Sequence, residues 1–262
     1  MFSRHKTPRS PLQIGLQKTE NHYHCLWFDQ HDRAQSAVLT PPLSLAKLRA
    51  AMGHIAQERR NNLSFIISIP GLYVWTQSIL LPHHLSPAES EQQCRFLLQN
   101  ALPTPVDNIW FDYVATPLTQ GIRLDIFAVR QDIAEKYIRQ YSPLPISILD
   151  SNINAIVRAF LYLLDETVDD DALFIYQDEQ INLAIQQTAQ QVNVTQQTDR
   201  NLTALYEQFC QSYHRQPRSI YVYSHLMPAQ PFPDHWQVIE TDLPVIALGN
   251  ALWHRDSPQI TH

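Results

Sequence analysis

The alternation of apolar and polar positions divides the chain into short strands and helices. Residues 12–17, 22–28 and 36–40 predict three strands separated by polar turns, and Pro41 and Pro42 stop the third. Ser44 then caps a helix with Leu45, Leu48, Met52 and Ile55 on one face and Arg49, Glu58, Arg59 and Arg60 in water. Residues 63–69, with Phe65, Ile66 and Ile67 at their centre, form a near-continuous apolar run, the pattern of a strand covered on both faces in the middle of a sheet. Residues 73–81 predict a further strand.

The strongest local signals lie between residues 79 and 150. Ser86, Pro87 and Glu89 have the spacing of a capping box with proline at the first helical position. Cys94, Leu97, Leu98 and Ala101 continue as one apolar stripe until Pro103 and Pro105 end the helix. Residues 108–116 and 122–129 alternate as paired strands around a turn holding Gly121. A second helix starts near Gln131, with Ile133, Ala134, Tyr137, Ile138 and Tyr141 on one side, and a strand over 145–150 is expected to close the unit.

Beyond it, Ile153, Ile156, Val157, Phe160 and Leu164 mark an amphipathic helix, followed by an acidic linker over 165–171. Strands at 172–176, 181–186 and 191–196, a helix over 201–213 with Leu202, Leu205, Phe209 and Tyr213 as its stripe, and a strand at 219–223 repeat the order of the N-terminal part. This weak duplication predicts an α/β (α+β) protein of two related lobes. The proline-rich residues 228–233 read as irregular, and residues 245–252 as a last short helix.

Composition narrows the chemistry. A formal charge of -6 over 262 residues argues against a general nucleic-acid surface, although Arg4, His5, Lys6 and Arg9 make residues 1–11 a basic tail. No run reaches the ~18 apolar residues of a membrane span, and Met1 is not followed by an apolar signal region, so a cytoplasmic protein is expected. Cys25, Cys94 and Cys210 are too far apart for a metal pair and read as reduced thiols. Glycine is the informative count: five in the whole chain, with no phosphate-cradling loop, where an average chain has about 7%.

His22 and His24 share one side of a strand and His83 adjoins His84, but neither pair has a third ligand at zinc spacing. The acidic run lacks the spacing and glycine of a calcium loop. Ser86 is explained by its cap, and no nucleophile elbow exists. No catalytic residue and no metal site is left, so the chain reads as a binding protein rather than an enzyme. Tyr23, Trp27, Tyr73, Trp75, Trp110, Phe111 and Tyr113 supply aromatic surface, and adjacent Trp110 and Phe111 must point to opposite faces.

Several landmarks together resemble the PilM family of type IV pilus and DNA-uptake proteins, which includes competence protein A (ComA) and HofM. They are Leu80-Leu81-Pro82, Leu85-Ser86-Pro87-Ala88-Glu89, Ala101-Leu102-Pro103, Phe111-Asp112-Tyr113, Leu149-Asp150 and Asn154-Ala155. Leu12-Gln13-Ile14-Gly15-Leu16 resembles the family's first strand, and Ala247-Leu248-Gly249-Asn250-Ala251-Leu252 its last helix. The resemblance implies a reduced two-lobed actin-like, FtsA-like fold. Residues 12–85 and 151–165 would form the first lobe, 86–150 an inserted subdomain, and 166–262 a truncated second lobe.

The resemblance also implies where function sits. Gly15 and Gly249 would be the remnants of a nucleotide site that has lost its acidic partner, since Gln13 stands at that place. The second lobe reads Phe174-Ile175-Tyr176-Gln177 without the Asp-x-Gly of ATP-binding members, so no cofactor is expected and ATP is disfavoured. The partner would be the cytoplasmic N-terminal peptide of a PilN-like inner-membrane protein, held near Leu80, Leu81, Phe96, Asn100, Val129 and Arg130, with a pilus ATPase as a further partner. On this view the chain meets the inner membrane only through partners and contacts no nucleic acid. The alternatives are an actin-like ATP switch or ATPase, and a type II secretion platform protein like GspL. The last would continue into a transmembrane helix, where this chain ends in the polar residues 256–262.

Overall fold

The structure is a computed structural model that describes residues 11–55, 62–164, 168–169, 171–188, 191–226 and 231–253. The basic tail, Glu58, Arg59 and Arg60, part of the acidic run (165–167 and Asp170) and residues 228–230 lie outside the described residues. The first sheet contains β1 (Leu12–Lys18), β2 (Tyr23–Phe28), β3 (Ala34–Leu39), β4 (Leu63–Ile69) and β8 (Ile146–Ser151) in the order β3-β2-β1-β4-β8. β1, β2 and β3 form an antiparallel meander, whereas β4 runs parallel to β1 and β8 parallel to β4. The helix α1 (Leu45–Met52), capped by the Ser44 hydroxyl on the Lys47 N–H, ends at Gly53 with φ +59°. Ile55 lies beyond that end and still packs against the layer built by Leu48 and Met52.

The second sheet repeats the layout. β9 (Leu173–Gln177), β10 (Asn182–Gln187), β11 (Val192–Gln197), β12 (Ile220–Ser224) and β13 (Gln237–Val238) lie in the order β11-β10-β9-β12-β13, again a meander followed by two parallel strands. The helix α5 (Leu202–Tyr213) covers one face with Leu202, Leu205 and Phe209. β13 falls between the proline-rich residues 228–233 and the last helix, where the pattern predicts no element. Two residues are too few to display a period of two, and only parallel pairing with Tyr221 and Val222 makes them a strand.

Between the sheets lie α4 (Asn152–Leu164) and α6 (Val245–Ala251), which pack on each other. α6 sits on β1, β2 and β4, while Ile156 and Phe160 of α4 meet Phe174, Tyr176 and Ile185 of the second sheet in one continuous apolar core. The result is a sheet–helix–helix–sheet sandwich joining the lobes.

The third sheet holds β5 (Trp75–Leu81), β7 (Ile122–Arg130) and β6 (Ile109–Pro117), with β7 in the middle. The helix α2 (Pro87–Ala101) covers one face through Cys94 and Leu98, and its capping box forms as the sequence predicts. α3 (Gln131–Arg139) leads back to the first sheet. Two boundaries of the inserted unit are corrected. β5, assigned above to the first lobe, pairs with β7 over its whole length. β8, expected to close the insert over 145–150, pairs instead with β4, Ile148 beside Ile66 and Leu149 beside Ile67. β4 is central and buried, so both of its edges need a partner, and β8 supplies the second.

Candidate functional site

Two places on this frame are candidates. The first is a cavity of about 390 Å³ between the lobes, bounded by the β1–β2 turn, the end of β4, Tyr137 and Tyr141 around α3, Asn152, and the β9–β10 turn. One turn from each lobe, β1–β2 and β9–β10, lines it. In the first turn, Thr19 donates both its N–H (3.0 Å) and its hydroxyl (3.2 Å) to the His22 carbonyl, and Glu20 stands beside it. Lys18, the single lysine or arginine among the described lining residues, donates to the Gln140 side chain at 3.4 Å.

The second turn is internally closed. Asp178 accepts the backbone N–H groups of Gln180 (2.8 Å) and Ile181 (2.9 Å) on one carboxylate oxygen and the Tyr176 hydroxyl (2.8 Å) on the other. The Gln180 and Ile181 amides are therefore occupied by the turn's own carboxylate. Burial above all, and then the Asp178 charge, pushes the Tyr176 hydroxyl well above the usual tyrosine range, so it stays a donor to that carboxylate.

Gly15 and Gly249, the nucleotide remnants implied by the resemblance, sit elsewhere. Gly15 is on β1 under α6, where a Cβ would enter the Ala247 carbonyl and the Ala251 amide. Gly249 is buried in α6, where a Cβ would collide with the Ala155 carbonyl of α4. Both are positions of close backbone approach at the lobe junction.

The junction is tied by polar contacts as well. Arg158 on α4 donates to Asp150 (2.5 Å) and to the Gly249 carbonyl (2.9 Å), and its guanidinium lies 5.2 Å from the centre of the Trp253 ring. Asn250 donates to the Leu16 carbonyl at 2.9 Å. His24 lies half-buried on β2, and His22, exposed just before the strand, is close enough to act on it. His225 of the second lobe adds its influence, so that burial first and the two histidines next hold His24 below the usual imidazole range. Among the described residues no group of three such side chains is arranged to hold a metal ion.

The second candidate is the inserted sheet. Its face opposite α2 carries Leu80, Trp110 and Val114, exposed by 71%, 41% and 55%, with half-buried Phe127 and Val129 on the central strand. Trp110 and Phe111 do diverge, since Phe111 packs under α2. The structure does not gather the six groove residues expected from the sequence. Leu80 and Val129 share the open face, but Leu80 pairs with Arg123, six residues from Val129 and about 20 Å along the strand. Leu81, one residue on, turns into the layer under α2. Phe96 and Asn100 lie on the outer side of α2, where Asn100 donates to the Phe96 carbonyl (2.8 Å). Arg130 opens α3 in an exposed ion pair with Asp132 (2.7 Å), and its guanidinium holds that carboxyl below the usual range.

No protein-family model and no curated protein matches the sequence. Solved structures share the layout at low identity. The cytoplasmic domain of EpsL, an inner-membrane component of the type II secretion system of Vibrio cholerae, superposes with a TM-score of 0.54 at 11% identity, over 92% of this chain and 94% of that one. A PilM–PilN type IV pilus biogenesis complex gives a TM-score of 0.53 at 14% identity, over 83% of this chain and 82% of that one. At these identities the likeness concerns the fold. With its duplicated strand order it makes this chain a two-lobed, actin-like α/β protein. Among the described residues no helix is long and apolar enough to cross a membrane.

Proposed function

We propose that this chain is a non-enzymatic adaptor of a pilus or secretion platform, which captures the cytoplasmic N-terminal peptide of a PilN-like inner-membrane protein on its inserted sheet. The observation that carries the reading is the open face with Leu80, Trp110 and Val114, because large exposed apolar side chains on one uncovered face of a sheet mark a binding surface. The likeness to a PilM–PilN complex supports a partner of this kind. The likeness to the EpsL domain favours a second reading within the same class, a type II secretion platform, distinguished by which machine's peptide binds. A cytoplasmic place at the inner membrane, reached through partners, follows from either.

Nucleotide hydrolysis is not part of this proposal. The cavity lining includes Glu20 and Asp178 against Lys18, the single lysine or arginine among its described lining residues, an electrostatic balance that opposes a triphosphate, and the second turn's amides are already bonded to Asp178.

The test is titration calorimetry with a synthetic peptide of the PilN-like N-terminus. Binding is expected, and Leu80→Glu is expected to weaken it about tenfold or more by placing a charge on the apolar face. Absence of peptide binding to the unaltered protein overturns the adaptor reading. Tight binding of magnesium-ATP in the same instrument overturns the nucleotide-free part of it.

A further inference from the structure

β5 and β6 are the two edges of the inserted sheet, and their backbones are not equally open. The hairpin turn sets the phase. The Leu118 N–H donates to the Gly121 carbonyl at 3.1 Å, so these two residues form a hydrogen-bonded pair, and such pairs alternate with non-bonded ones along an antiparallel ladder. Following the register, Thr116, Val114, Asp112 and Trp110 bond to β7, and Ala115, Tyr113 and Phe111 direct their backbone groups away from it. The Tyr113 N–H agrees with this phase, because it donates to the Asp112 carboxylate at 2.8 Å. That bond closes the β6 edge in its middle, and Pro117 has no N–H to offer at its end.

The same phase turns the β7 residues Ile122, Leu124, Ile126 and Ala128 toward β5, where they bond Leu81, Ile79, Gln77 and Trp75. Thr76, Ser78 and Leu80 therefore point their N–H and C=O groups outward, and their side chains are exposed. β5 contains none of the devices that protect an edge strand: no proline, no lysine and no other charged residue.

We infer that the partner peptide joins this sheet as a further strand along β5, a conclusion that rests on the adaptor reading above. Each of Thr76, Ser78 and Leu80 offers one donor and one acceptor, which an extended chain matches at every second residue. On the α2 side, the added strand borders Trp75, Ile79 and Leu81, which stand half-buried at the margin of the apolar layer. On the other side it borders Ser78, whose hydroxyl bonds Asp125 at 2.6 Å. The ligand is therefore an extended segment, apolar at alternate positions on the α2 side and polar between them. Specificity comes from that alternation and affinity from the main chain.

Proline substitution tests the main chain directly. Ser78→Pro removes an N–H that points outward and leaves the bonds to β7 in place, whereas Ser78→Ala keeps that N–H. With the synthetic PilN-like N-terminal peptide as probe, Ser78→Pro is expected to weaken binding about tenfold or more while Ser78→Ala stays within about threefold of the unaltered protein. Equal binding by Ser78→Pro overturns strand addition while the adaptor reading stands, and failure of the peptide to bind the unaltered protein removes both. Should Ser78→Pro not fold, amide hydrogen exchange on the unaltered protein decides. Exchange at Thr76, Ser78 and Leu80 slows when peptide is added if the strand forms there, and unchanged exchange overturns the inference. A dimer in light scattering that the peptide cannot disperse, and that Ser78→Pro abolishes, assigns the edge to a second copy and overturns the peptide as its occupant.

Discussion

Gly249→Ala is expected to abolish the folded state at ordinary temperatures, with a loss of more than about 4 kcal/mol. The argument is geometric. Gly249 lies in the middle of α6, buried on all sides, and its missing Cβ is where the Ala155 carbonyl of α4 sits. Backbone atoms of two packed helices cannot yield as the end of a flexible side chain can, so α6 would have to move away from α4. That movement is blocked from behind, because Gly15 of β1 accepts Ala247 and Ala251 of the same helix at equally close range. Ordinary overpacking costs about 1–3 kcal/mol. Here the collision is with main chain on one side and a sheet on the other, and natural domains have only about 5–15 kcal/mol in total. Gly53→Ala is the contrast. Its Cβ would meet nothing within 4 Å, so only the positive φ of 59° is strained, at about 2 kcal/mol. Urea denaturation of both variants checks this, and a Gly249→Ala midpoint close to that of the unaltered protein would show the helix contact to be looser than described.

How much of this was legible depends on whether the cause was local. The capping box of Ser86 and Glu89, the hairpin around Gly121 and the buried run of β4 are written in neighbouring residues, and they form where the pattern places them. Sheet membership is not local. The alternation within residues 73–81 and 145–150 says that each is a strand, but nothing within either segment says that β5 pairs with β7 and β8 with β4. The two glycines show the same limit from another side: Gly249 alternates with Ala247 and Ala251 along α6, and only the folded chain shows that Gly249 meets α4 while the two alanines meet Gly15 of β1.

The candidate site was legible by half. Strand parity alone separates Leu80 from Leu81 and puts Leu80 on the side later found to be open, while nearness to a predicted junction wrongly gathered Phe96 and Asn100 from the far side of a helix. At the β9–β10 turn, Asp178 followed by polar residues carries the signal of an Asx turn. That carboxylate, rather than the missing glycine of the strand before it, is what fills the turn's amides. The inserted sheet and the closed turn point the same way, since β5 offers unpaired strand backbone while the β9–β10 turn has closed its amides on its own carboxylate.

Side chains also hold the lobe junction together, and Asp150→Ala is the substitution that exposes their part. Asp150 stands one residue before the end of β8 with its side chain only 5% exposed, and it accepts Arg158, the Ser151 N–H (2.7 Å) and the Asn154 amide (3.1 Å). Arg158, 17% exposed, also reaches across to the Gly249 carbonyl. Removing the carboxylate leaves a nearly buried guanidinium with one carbonyl and one aromatic face, a situation that costs about 3–5 kcal/mol. For a chain of this size that corresponds to a fall of about 10 °C in Tm. Arg158→Met alone removes the charge but leaves Asp150 buried with its two remaining donors, so a smaller loss is expected. The double variant Asp150→Ala/Arg158→Met is expected to be more stable than Asp150→Ala alone, because the unpaired charge is gone. Thermal melts of the three variants give the coupling. If the double variant loses as much as the two single losses added together, Arg158 and Asp150 act independently, and the junction is held by the apolar packing of α4 on α6 without this pair.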